Sequence, residues 1–163
     1  MSVIDDTRKA LKKVHKGQVL WTVHGLERIR ERDAKVFVFG NGGGAAHAMH
    51  FAADLRKIAG IKAYSFDSIP EMTARINDQG WEEAWWEWMR SFGYCEGDDR
   101  FIFSVGGGLS NQEVSKNLPP SPMGIVGANG GYHSRIVIPS TSTPVVEGCQ
   151  AVIAHDIVDR LAQ

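Results

Sequence analysis

Four apolar residues, Val36-Phe37-Val38-Phe39, run straight into Gly40-Asn41-Gly42-Gly43-Gly44, and a helix-forming stretch, Ala45–Lys57, follows at once. A short run that is apolar at every position reads as a strand covered on both faces. Glycines at the turn let the backbone come close to an anion and adopt positive φ. The free amides and the dipole at the start of the next helix then favour a phosphate group. The passage Lys35–Leu55 therefore predicts a strand–loop–helix unit that binds a small phosphorylated molecule. The letters of the dinucleotide fingerprint GxGxxG are present, with Ala45 in the last place. No acidic residue closes a second strand at the spacing that fingerprint needs, Asp67 being the nearest.

Further along, Lys62–Phe66, Phe101–Val105, Met123–Val126 and Arg135–Ile138 read as strands. Ser68 and Glu71 form a capping pair at a helix start, and Trp81–Phe92 reads as an aromatic-rich helix whose Trp81, Trp85 and Trp88 share a face for a core or a subunit interface. Asn111–Leu118 reads as a short helix, Pro119–Pro122 as irregular chain, and Pro144–Leu161 as a final helix with Pro144 in its first turn. Apolar residues at three- and four-residue steps (Ile4, Leu11, Val14, Leu20, Val23, Leu26, Ile29) predict one long helix over residues 3–31, which Gly17 and Gly25 weaken locally. Such a leading helix often packs against another copy of the chain. Alternating strands and helices imply an α/β fold, a three-layer α/β/α sandwich around a central parallel sheet. Ligands of such sheets sit beyond the carboxyl ends of the strands. Both glycine loops, Gly40–Gly44 and Gly106-Gly107-Gly108, fall at that edge.

A chain of 163 residues suits one domain, 1–163, made of a leading helix (1–31) and an α/β core (35–163). The net charge of −1 argues against nucleic acid or an anionic membrane as partner. Arg8, Lys9, Lys12, Lys13 and Lys16 follow Asp5 and Asp6 and read as a solvated helix face. Neither a signal peptide nor a spanning segment is legible, and Cys95 and Cys149 form no disulfide framework, so a cytoplasmic protein is expected.

His50 and Asp54 are four apart on the helix that the first loop opens, so they share a face about 6 Å apart. Such a pair can hold a metal or exchange protons, and an ordinary surface contact has the same spacing. His47, one turn earlier, can compete for either role. Glu147 and His155 on the final helix are about 12 Å apart along its axis. They can lean toward a site between them, act in different subunits, or simply belong to an amphipathic helix.

Taken together, Gly40–Leu55 resembles the signature of the phosphoheptose isomerases, sugar-isomerase (SIS) domain enzymes that convert sedoheptulose 7-phosphate to D-glycero-D-manno-heptose 7-phosphate. Asn77-Asp78 ahead of an aromatic helix, Ser104 closing a strand, and His155 on a late helix agree in order. The resemblance spans essentially the whole chain, which is shorter than usual between Ser110 and Pro144. It implies a flavodoxin-like SIS fold and a homotetramer with sites at subunit interfaces. It also implies an enediol mechanism with Asp54 and His155 as acid–base pair, and zinc held by His50, Asp54, Glu147 and His155. Substrate would be held by Asn41, Gly42, Gly43, Gly44, Asn77, Asp78, Ser104, Gly106 and Ser110.

Departures from that signature are specific. Gly44 stands where the family has serine, and Ser104-Val105-Gly106-Gly107-Gly108-Leu109-Ser110 replaces a serine- and threonine-rich loop. Asp54 stands for glutamate and Glu147 for glutamine, the latter adding a charge that strengthens divalent-metal binding. The alternatives implied by the thinned loops are a non-catalytic SIS module that binds sugar phosphate or a protein, and an isomerase for another phosphosugar.

Overall fold

A computed structural model describes residues 2–106, 123–128 and 136–163. Its strands are β1 (Lys35–Gly40), β2 (Lys62–Ser65), β3 (Asp99–Ser104), β4 (Met123–Val126) and β5 (Ile136–Val137). The helices among these residues are α1 (Val3–Lys13), α2 (Lys16–Glu31), α3 (Gly43–Lys57), α4 (Ile69–Ser91) and α5 (Thr143–Leu161). Every strand pairing is parallel, in the order β2-β1-β3-β4-β5. The winding reverses between β1 and β3, which is where a crevice opens beyond the carboxyl ends of the strands. The first glycine loop follows β1 at that crevice and β3 ends beside it at Ser104, while Gly107 and Gly108 of the second loop lie outside the described residues. The expected helix over 111–118 and the irregular 119–122 lie outside the described residues.

Alternation along β1 feeds two cores. Val36 and Val38 join Leu26 and Ile29 of α2, Phe51 and Leu55 of α3, and Val146, Ile153 and Ile157 of α5. Phe37 and Phe39 face the opposite layer with Phe66, Ile102 and the α4 residues Trp85, Trp88 and Met89. Trp88 stacks on Phe66 with centroids 4.8 Å apart and meets Phe37 edge-on at 5.5 Å. Trp85 and Trp88 are therefore core, while Trp81 is exposed. Ser68 caps α4 as its spacing implied, accepting from the Glu71 amide at 3.3 Å. That helix continues to Ser91 with a kink at Gly80 (φ 82°, ψ 162°), so the expected aromatic helix is its second half.

The single leading helix over 3–31 is corrected to two. Val14 and His15 are extended, and α2 restarts at Lys16. A straight rod cannot lay both its ends on one rounded core. The break lets Ala10 and Leu11 of α1 reach the same cluster as Val19, Val23, Leu26 and Ile29 of α2. Gly17, a poor helix former, lowers the cost of interrupting the helix there. Gln18 of α2 then accepts from the Val137 amide at 3.2 Å, closing the two-residue edge strand β5.

Two polar clamps hold α5. Gln150, fully buried, donates from Nε2 to the carbonyls of Ser104 and Ile125, each at 3.0 Å. At the far end Arg30 Nη1 donates to the Leu161 carbonyl at 3.0 Å and the Ala59 carbonyl at 3.2 Å. Among the described residues no helix is long and apolar enough to cross a membrane.

Replacing Gln150 by leucine keeps the volume but leaves buried carbonyls short of a donor. Denaturant unfolding of Gln150→Leu should give a stability lower by about 2 kcal/mol. The two cysteines should also separate cleanly. Cys149 is buried, which pushes its thiol pKa up, whereas Cys95 is exposed. A maleimide at pH 8 should label Cys95 in the native protein and reach Cys149 only after denaturation.

Candidate active site

The first glycine loop is built on a backbone contact. A Cβ on Gly40 would lie 2.2 Å from the carbonyl carbon and oxygen of Gly44, so only glycine fits. Gly42 has φ 55° and ψ −123°, a region closed to residues with a side chain. The turn winds directly into α3, with the Gly44 amide donating to Asn41 O at 2.9 Å and the Ala45 amide to Gly42 O at 3.1 Å. Those two amides are engaged within the turn. The cradle is thus narrower than the glycine count implies. Gly44 is buried, and a Cβ there would press to 3.0 Å of the Phe103 carbonyl on β3. A serine at this position would need that carbonyl to give by a few tenths of an ångström.

Further along α3, three side chains converge. His50 Nε2 lies 3.2 Å and His155 Nδ1 3.7 Å from the same oxygen, Asp54 Oδ2. The two rings meet edge-on with centroids 5.1 Å apart. One ligand atom from each residue falls within 4.8 Å of the others. Two imidazoles and one carboxylate suit zinc with a position left open for water or substrate. The carboxylate is recessed at 17% side-chain exposure, while His50 and His155 stand open at 61% and 60%. Glu147, the fourth expected ligand, is outside this group. Its carboxylate lies against Gly43, with Oε1 2.3 Å from where a Cβ on that glycine would be.

Between these ends, His47 Nδ1 meets Gln150 Oε1 at 3.3 Å. Both hydrogens of the Gln150 amide are taken by strand carbonyls, so its oxygen must face His47 and Nδ1 must donate. Helices α3 and α5 therefore run side by side in register: Glu147 at Gly43, Gln150 at His47, His155 at His50 and Asp54. Gln150 was the residue that sequence reasoning missed. Its signal was one amide inside the otherwise apolar face of Val145, Val146, Ile153 and Ile157.

The remaining expected residues are placed as follows. Asn41 is exposed at the loop, and Ser104 is buried at the end of β3, where its carbonyl also accepts from the Gly127 amide at 3.1 Å. Gly106 is exposed at the start of the second loop, and Ser110 lies outside the described residues. Asn77 and Asp78 are exposed on α4, near its kink, and bond to each other at 2.9 Å.

No protein-family profile matches the chain. Among characterised proteins it is 29% identical over 153 residues to the phosphoheptose isomerase of Helicobacter pylori, covering 85% of this chain and 79% of that one. It is 31% identical over 148 residues to the phosphoheptose isomerase of Sulfurimonas denitrificans, covering 78% and 72%. The fold superposes on the phosphoheptose isomerase structure from Neisseria gonorrhoeae with a TM-score of 0.83 at 22% identity, over 98% of this chain and 92% of the other. With a parallel sheet wound in this order, a glycine loop at its switch point and relatives this similar over most of their length, the chain belongs to the phosphoheptose isomerase family.

Proposed function

We propose that the protein is an aldose–ketose isomerase that converts sedoheptulose 7-phosphate to D-glycero-D-manno-heptose 7-phosphate in the cytoplasm. The observation that carries this reading is the pairing of Asp54 with His155 at one end of the α3–α5 seam and a glycine turn at the other. Along α3, His50 is seven residues beyond Gly43, about 10 Å, comparable with an extended seven-carbon sugar phosphate.

The phosphate would rest on the Gly42 and Gly43 amides and the backbone of the loop that leaves Ser104. Asn41, Asn77, Asp78, Gly106 and Ser110 are assigned to the sugar and its phosphate by their match to the family's signature. The reacting carbons then lie at Asp54 and His155. One of this pair removes the C1 proton of the ketose, giving an enediol, and a proton is returned to C2. The other exchanges protons with the two oxygens, so the carbonyl moves from C2 to C1 without any external oxidant. A zinc ion held by His50, Asp54 and His155 would supply a Lewis acid for the substrate carbonyl. Two open imidazoles support completion of the site by a second copy of the chain, in a homotetramer, since an enediol needs shelter from water. Met49 and Val152, exposed apolar residues on the same two helices, support that too.

Assay with sedoheptulose 7-phosphate tests the reading. Wild type should convert it, and Asp54→Asn or His155→Ala should lower kcat by about 10²–10⁴-fold. An inactive wild type that still binds sugar phosphate would favour the non-catalytic alternative, which the absence of a hydroxyl at Gly44 supports. Elemental analysis should find about one zinc per chain, reduced in His50→Ala; a metal-free active protein would remove the ligand assignment.

A further inference from the structure

We propose that Glu147 is a built-in anion at the glycine loop, whose charge weakens the binding of a phosphate group there. This rests on the reading of that loop as the phosphate cradle. Glu147 Oε1 and Oε2 come within 2.3 and 3.0 Å of the position a Cβ on Gly43 would take. The carboxylate thus lies in the space that the missing side chain leaves, at the residue that opens α3. The positive end of the α3 dipole favours an anion there, and the protein supplies one of its own.

The helix that carries it is held in place. Glu147 is one turn ahead of Gln150, whose fully buried amide ties α5 to the ends of β3 and β4. The carboxylate therefore approaches the loop from a helix held in register. A phosphate brought to this loop meets a like charge in a half-buried setting, where repulsion is only partly screened. Free phosphate and the phosphate group of a sugar phosphate meet the same repulsion.

Calorimetric titration of the full chain with inorganic phosphate reads the effect without turnover. Glu147→Gln keeps the shape and removes the charge, and it should bind phosphate about tenfold more tightly than wild type. Glu147→Asp, with its carboxylate withdrawn by one methylene, should fall between them. In the isomerase assay, phosphate should inhibit Glu147→Gln at correspondingly lower concentration. A structural role alone would not tighten binding. Equal or weaker phosphate binding by Glu147→Gln overturns the proposal, as does failure of both proteins to bind phosphate. Wild-type inactivity toward sedoheptulose 7-phosphate would instead overturn the isomerase reading and leave the phosphate comparison standing.

Discussion

Gly40 and Gly44 touch backbone to backbone at the carboxyl end of β1, and no side chain fits between them. This contact sets the angle and rotation at which α3 leaves the sheet. His47, His50 and Asp54 all take their positions from that exit, because each is a fixed number of residues along one helix. A shift of the first turn would carry all three away from α5 together. Gly44 resting on the Phe103 carbonyl ties the same turn to β3, across the point where the winding reverses. The site thus hangs on a close approach that glycine alone permits.

Helix α5 answers α3 along a seam of polar contacts spaced by helical turns. Its own position follows from Gln150, which exchanges no partner with solvent and binds two strand ends at once. The seam has a graded character. At the loop end a carboxylate faces backbone, in the middle an amide faces an imidazole, and at the open end a carboxylate is shared by two imidazoles. Two of the substitutions that set this chain apart from its family's signature, Asp54 and Glu147, lie on that seam.

Much of the fold was legible because its signals are local. The apolar runs of β1, β3 and β4, the Ser68 cap and the proline in the first turn of α5 each act within a few residues. The break at Val14 and His15 was not legible, since the periodicity of residues 3–31 passes through it unchanged. Only the curvature of the core that α1 and α2 must cover requires it. At the site, His50 and Asp54 could be paired from their spacing. Glu147 could not be placed, because two positions eight apart on one helix say nothing about which neighbour each will meet.

The sequence by itself determined the element types, the parallel α/β architecture and the glycine turn, because burial periodicity and backbone freedom are properties of neighbouring residues. Family membership was likewise carried by a contiguous stretch, Gly40–Leu55. Tertiary structure decided which residues about a hundred positions apart would meet. It brought His155 to Asp54, used Gln150 as a clamp and laid Glu147 on Gly43. The physical reason is that each of these depends on the relative register of α3 and α5, and that register is set by packing on a shared sheet, not by either helix alone.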